Sequence, residues 1–149
     1  MIIKGDRTHI EWIVRHRVEM FRSMGWTESD LIVTQAVTKR FLQDAWDTQN
    51  PEVFLKSIDN TIIGGATVSY YGVLPDNRNP SGKCAYVLNM FVEPEYRGRG
   101  FATEIIRHII GSCKEKGINK IALHDTEMSK RIYEKEGFAL SKNYYQLII

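Results

Sequence analysis

Only two cysteines, Cys84 and Cys113, occur in 149 residues, far apart and in no metal-ligand spacing. That excludes a disulfide-stapled scaffold and a cysteine-based metal fold, and it suits a reducing, cytoplasmic setting. No metal site is expected. Four prolines leave room for uninterrupted helices and strands. No apolar run approaches the ~20 residues of a membrane span. The N-terminus has no apolar core of a signal peptide either, so no membrane or export role is expected. Charge of one sign is also scarce. Twenty Lys and Arg against 18 Asp and Glu leave a formal net charge of +2, and the basic residues are scattered, which argues against a nucleic-acid partner. Repeats, linkers and low-complexity tracts are absent. The length suits one domain, 1–149, able to bury its own core.

What is present alternates between two periodicities. Met1 to Lys4 reads as a short edge strand. Ile10, Ile13, Val14, Val18 and Phe21 recur at helical spacing until Gly25. Thr27, with Asp30 three residues on, predicts the start of a second helix reaching towards Gln49 and stopped by Pro51. Val53–Ile58 and Thr61–Tyr70 read as strands joined by the hairpin pair Asp59-Asn60. Gly64-Gly65 inside the second suggests a bulge or a close backbone approach. A polar loop rich in turn residues, Pro75 to Lys83, is the segment expected to be most mobile. Next come an apolar strand, Ala85 to Val92, and a helix from Phe101 to about Lys116 ended by Gly117. A strand at Lys120–Leu123 and a short helix at Ser129–Glu136 follow. The tail, Phe138 to Ile149, reads as a final hairpin turning near Ser141-Lys142-Asn143.

The most informative segment is the turn between the apolar strand and its helix, Val92-Glu93-Pro94-Glu95-Tyr96-Arg97-Gly98-Arg99-Gly100-Phe101-Ala102-Thr103. A helix that opens here leaves its first N–H groups without intrahelical partners, with the positive end of the helix dipole behind them. Gly98 and Gly100 remove side chains that would keep a ligand off the backbone. Such a turn is a phosphate cradle. It lacks the third glycine of the dinucleotide fingerprint and the Gly-Lys-Ser/Thr of a P-loop. Arg97-Gly98-Arg99-Gly100-Phe101-Ala102, as R-x-x-G-x-A after V-x-P-x-Y, resembles the acetyl-CoA motif of the GCN5-related N-acetyltransferases.

A second stretch, Ile132-Tyr133-Glu134-Lys135-Glu136-Gly137-Phe138, resembles that family's Y-E-K-x-G-F segment, and the order of elements is the family's over essentially the whole chain. The resemblance implies an α/β (α+β mixed) acyl-CoA acyltransferase fold. Its mostly antiparallel mixed sheet would have six to seven strands and about four flanking helices. It implies acetyl-CoA as co-substrate, bound by Met90, Phe91 and Val92 at the strand end and by Arg97, Gly98, Arg99, Gly100, Phe101, Ala102 and Thr103 at the turn. It also implies Tyr133 beside the thioester sulfur, and a homodimer through the C-terminal strands. Where many members carry Asn-x-x-Ala before that Tyr, this chain has Thr126-Glu127-Met128-Ser129, so no pantetheine contact is assigned to Thr126.

The chemistry sets further requirements. A primary amine with a pKa near 10.4 must attack as the neutral base, so a proton needs an acceptor. Family members often hold a Glu on the strand before the turn, whereas Ala85-Tyr86-Val87-Leu88-Asn89-Met90-Phe91 has no carboxylate. Asn89 cannot be a base. It either holds a proton-relaying water at the catalytic centre or satisfies backbone groups where two strands diverge. Glu93 reads as solvated, and His124 as structural more readily than as a base. Arg17 falls on the apolar stripe of the first helix, where a charge is costly unless paired; it meets either a substrate carboxylate or a residue such as Glu52 or Asp44. Phe21 and Tyr70 join it as acceptor contacts, while Trp26, Trp46 and Tyr71 line an acceptor pocket or fill core. The expected activity is acetyl transfer to a primary amine of a small or amino-acid-like molecule by direct attack. A protein or peptide amine, and a non-catalytic acyl-CoA-binding module, are the alternatives.

Overall fold

A computed structural model describes residues 1–141 and 145–149. The chain runs β1 (Ile2–Lys4), α1 (Ile10–Ser23), α2 (Glu28–Ala45), β2 (Glu52–Ile58), β3 (Thr61–Gly72), β4 (Lys83–Val92), α3 (Phe101–Glu115), β5 (Lys120–Leu123) and α4 (Lys130–Lys135). Short 3-10 turns at Arg7–His9, Trp46–Thr48 and Pro94–Tyr96 join some of them. The five strands form one sheet in sequence order, antiparallel up to β4 and parallel between β4 and β5.

Local chemistry sets most of these boundaries. The backbone N–H of Asp30 donates to Thr27 Oγ1 at 3.2 Å, capping α2. Asp59 and Asn60 both take positive φ, 47° and 62°, as the tight turn between β2 and β3 requires. Alternation along β2 then divides the molecule. Val53 and Leu55 join Ile10, Ile13, Val14 and Leu42 on one face, under α1 and α2. Phe54 joins Val68, Ala85, Val87, Ile105, Ile106, Ile109, Cys113 and Tyr133 on the other, under α3 and α4. Burying each isoleucine of α3 contributes about 1.5–3 kcal/mol over leaving it exposed.

Two irregularities shape the sheet where β4 ends. Gly65 pairs with Phe91 and Thr67 with Leu88, so Ala66 alone opposes both Asn89 and Met90. That is a bulge, and Asn89 takes φ +53° in it. Asn tolerates the left-handed region better than most residues with a Cβ. Beside it the strands approach closely: a Cβ on Gly64 would stand 2.8 Å from Phe91 O, and one on Gly65 would stand 2.7 Å from Leu55 Cδ2. Meanwhile β5 pairs with β4 only from Cys84 to Val87. Beyond Leu88 the edge of β4 facing β5 is unpaired among the described residues, so a wedge opens at the bulge.

Among the described residues the sheet has five strands, a correction to the expected six to seven. No strand forms at residues 138–141 or 145–149, and the expected turn at Lys142-Asn143 lies outside the described residues. Leu140, Tyr145, Leu147, Ile148 and Ile149 are exposed. A segment that buries neither face has nothing to pin a strand register.

Candidate active site

The turn after β4 has the geometry of an anion cradle. Gly98 and Gly100 take φ +74° and +84°, and a Cβ built on either would project into open space. Arg97 N–H closes the preceding turn onto Pro94 O at 3.2 Å, and the ladder of α3 begins only with Glu104 N–H to Gly100 O at 3.1 Å. Between them, the N–H groups of Gly98, Arg99, Gly100, Phe101, Ala102 and Thr103 find no backbone acceptor among the described residues. They surround the positive end of a 15-residue helix. An acyl-CoA pyrophosphate fits this donor set and the space over the two glycines.

The two arginines of the turn differ in what they touch. Arg97 Nε donates to Val92 O at 2.9 Å, and its guanidinium lies 5.3 Å from the Phe91 ring centroid. It therefore braces the turn against the end of β4. Arg99 stands 5.6 Å over the Tyr96 ring. Phe101 and Ala102 pack against the core cluster of the α3 face. Met90 also packs on the α3 face, whereas Phe91 turns to α1, its ring 4.2 Å from that of His16.

Tyr133, on α4, is only 6% exposed and packs edge-on to Phe138 with ring centroids 5.8 Å apart. Burial pushes its phenol above the ordinary value; the Ser129 hydroxyl opposes the shift and Asp125 adds to it. It is a hydrogen-bond donor throughout the neutral range.

Asn89 is 7% exposed, and its side chain crosses to α1, where Nδ2 donates to Ile13 O at 3.3 Å. Its Oδ1 is buried without a partner, which is uncommon in a folded interior. Arg17 shares the same carbonyl, because its own N–H is the helical donor to Ile13 O. The Arg17 guanidinium lies 4.8 Å over the Phe21 ring, and Phe21 stacks on Trp26 at 4.1 Å. Arg17, Phe21 and Trp26 thus stack on one another at the end of α1, and Asn89 reaches the same helix at Ile13.

The alternative of a buried ion pair for Arg17 is overturned. Asp44 pairs with Arg40 on its own helix at 3.9 Å. Glu52 lies on the opposite face of the sheet, where it accepts from Lys116 Nζ at 2.5 Å and Tyr70 Oη at 2.6 Å and pairs with Lys4 Nζ at 3.0 Å. Burial alone would raise the Glu52 carboxyl; the three donors and the Lys116 charge outweigh it and hold the pKa at about 2. Tyr70 is therefore not brought together with Arg17 and Phe21. It faces a separate recess of about 530 Å³ lined by Lys4, Glu52, Lys83 and Lys116.

Two residues depart from the sequence reading. Glu93 is held, not solvated: its Oε1 lies 2.7 Å from His16 Nε2 and 2.9 Å from Arg15 NH2. His16, 1% exposed and clasped between Trp12 and Phe91, was missed altogether. The i, i+4 spacing of Trp12 and His16 was the available signal. His124 contacts Tyr86 Oη through Nδ1, beyond the end of β5. Among the described residues, no cluster of His, Cys, Asp and Glu could hold a metal.

The model of the Acetyltransferase (GNAT) family matches residues 14–138. The chain is 29% identical over 101 residues to N-alpha-acetyltransferase 30 of Schizosaccharomyces pombe, covering 66% of this chain and 65% of that protein. It is 26% identical over 96 residues to a glucosamine 6-phosphate N-acetyltransferase of Trypanosoma brucei brucei, covering 64% and 63%. The chain thus spans slightly under two thirds of the length of these relatives. A GCN5-related N-acetyltransferase from Ralstonia eutropha JMP134 has a TM-score of 0.91 at 23% identity, over 99% of this chain and 97% of that one. A predicted acetyltransferase with acetyl-CoA from Clostridium acetobutylicum gives 0.88 at 24%, over 99% and 95%. These likenesses show the fold. With the family match spanning most of its length, the chain belongs to the Acetyltransferase (GNAT) family.

Proposed function

We propose that the chain transfers the acetyl group of acetyl-CoA to a primary amine of a small, amino-acid-like acceptor, by direct attack while both are bound. The observation that carries this reading is the run of unpaired N–H groups from Gly98 to Thr103 beside a wedge between β4 and β5. Acetyl-CoA supplies an activated thioester with a phosphate-rich handle. The Gly98–Thr103 amides and the α3 dipole hold the pyrophosphate, with Arg97 keeping the turn fixed to Val92. The unpaired edge of β4 around Met90, Phe91 and Val92 takes the pantetheine and directs the carbonyl towards main-chain N–H.

Tyr133 stands by the departing sulfur. Phenol and thiol pKa values of ~10 and ~8.5 make full proton transfer uphill by roughly 2 kcal/mol, and burial raises the Tyr133 phenol further. Tyr133 therefore stabilises the thiolate by hydrogen bonding. Asn89 Oδ1 positions the amine or the water that removes its proton, which fits its lack of a protein partner. Glu93 is a weak candidate for base, since His16 and Arg15 both engage its carboxylate.

Thiol release from acetyl-CoA, followed across a panel of primary amines, tests the reading. Amine-dependent release with small acceptors is the expected result. Release with protein N-termini alone would replace the small acceptor by a peptide one, and release with no amine would leave only a binding module.

A further inference from the structure

Arg17 is a half-buried cation without an anion. On α1, Arg15 pairs with Glu93 and Arg22 with Glu19 and Glu28. The carboxylates of α1 and α2 are all engaged elsewhere: Glu11 by Lys39, Glu19 and Glu28 by Arg22, Asp44 by Arg40, and Asp30 by Thr27. Among the described residues, Arg17 has no ion pair or hydrogen bond from its guanidinium, only the ring of Phe21 beneath it. Burial lowers its pKa from the ordinary value with nothing to offset the loss of water. A second, independent orphan stands beside it, because Asn89 Oδ1 is buried and unpartnered while Asn89 Nδ2 and Arg17 N–H converge on Ile13 O. Arg17 thus stands one helical turn beyond the point where the bulge residue Asn89 is pinned to α1, with the Phe21–Trp26 stack under its guanidinium.

We infer that the acceptor amine carries a carboxylate, which the unpaired Arg17 guanidinium binds. The inference rests on the small-acceptor reading above and narrows it. A planar guanidinium matches a carboxylate through two parallel hydrogen bonds. A phosphate dianion calls for more positive charge, and the neighbouring Arg15 and Arg22 are already neutralised. The aromatic floor accommodates the carbon skeleton and keeps water from the ion pair, which strengthens it. The desolvated guanidinium then gains the partner that the protein itself does not supply.

The test compares amines that differ only in the anion: amino acids, their amides, an amino-sugar phosphate and simple alkylamines, each assayed by thiol release with native protein and with Arg17→Gln and Arg17→Lys. The expected result is a kcat/KM for acids at least about tenfold above that for amides, as a charge-assisted contact gives. In Arg17→Gln that ratio falls to near one through a rise in KM for the acids alone, and Arg17→Lys lies between. Calorimetric affinity for acetyl-CoA stays native, and the urea midpoint of Arg17→Gln stays close to the native one because only the Phe21 ring contact is lost. The inference is overturned by equal use of acids and amides, by a preference for the phosphate, or by a ratio that survives in Arg17→Gln. Thiol release by no amine at all overturns the parent reading together with this one. Turnover of every amine without preference overturns this one alone.

Discussion

His16 Nε2 and Glu93 Oε1 lie 2.7 Å apart and tie α1 to the residue that follows β4. The other ring nitrogen, Nδ1, is 2.7 Å from Trp12 O, a carbonyl that only accepts, so Nδ1 carries a hydrogen. The pair is 1% exposed on the histidine side, with Phe91 against the ring. The end of β4 is therefore fixed from α1 at Asn89 and at Glu93, on either side of the wedge.

Removing one member of such a pair leaves the other without its partner. His16→Ala should lower unfolding stability by about 3 kcal/mol, from the lost pair and the cavity together. Glu93→Gln, which keeps the shape and one acceptor, should lose less, on the order of 1–2 kcal/mol. Urea unfolding followed by tryptophan fluorescence measures both. Equal losses would mean that packing alone, and not the pair, fixes His16.

Tyr133→Phe retains the ring against Phe138 and removes only the hydroxyl. Turnover should fall by roughly tenfold to a hundredfold with KM for acetyl-CoA unchanged, the loss of a contact made in the transition state. Steady-state thiol release gives both constants. An unchanged kcat would remove Tyr133 from the mechanism.

Glu52 gives stability a pH dependence of known sign. Its folded pKa of about 2 lies below the ordinary 4.5, so the folded state binds the proton less tightly than the unfolded chain. The stabilisation is fully present above about pH 4.5 and is lost as the pH falls from there through 2. Native protein should lose stability over that window more steeply than Glu52→Gln, and the two unfolding curves should converge as acid is added. Parallel curves would show that Lys116, Tyr70 and Lys4 do not hold the carboxylate ionised.

Asn89 separates backbone strain from side-chain function. At φ +53°, Asn89→Ala places a Cβ without the amide's compensations, and Asn89→Gly relieves the conformation. The Gly variant should exceed the Ala variant in stability by about 1 kcal/mol, yet both should lose acetyl transfer alike, since both lack Oδ1. Chemical unfolding and thiol release on the same preparations check the two halves.

What the sequence shows and what it hides divide along a physical line. The strand, the Gly98 and Gly100 turn and α3 are local: apolar alternation, two glycines and a helical stripe lie within about thirty residues, so their periodicity is visible directly. The Asp59-Asn60 hairpin is legible for the same reason. Asn89 stood out as a polar residue in an apolar strand, but its bulge depends on register against Ala66, which one strand alone does not encode. His16 and Glu93 are 77 positions apart. No spacing rule connects them, and a glutamate next to a basic turn looks solvated until a helix is laid over it. Arg17 was visible as a charge on an apolar stripe, whereas its lack of an anion emerged only when Glu52 proved to sit on the other face. The tail misled because its apolar residues suit strands, while propensity says nothing of whether a partner strand is within reach.

The most direct test of the central claim is a calorimetric titration of the native protein and of Gly100→Asp with acetyl-CoA, each first shown to be folded by circular dichroism. A Cβ at Gly100 projects into the open space of the cradle, and its carboxylate would meet the pyrophosphate with like charge. The account predicts micromolar binding by the native chain that is lost in the folded variant. Equal affinity in both, or none in the native protein, would contradict the assignment of this turn as the cofactor cradle.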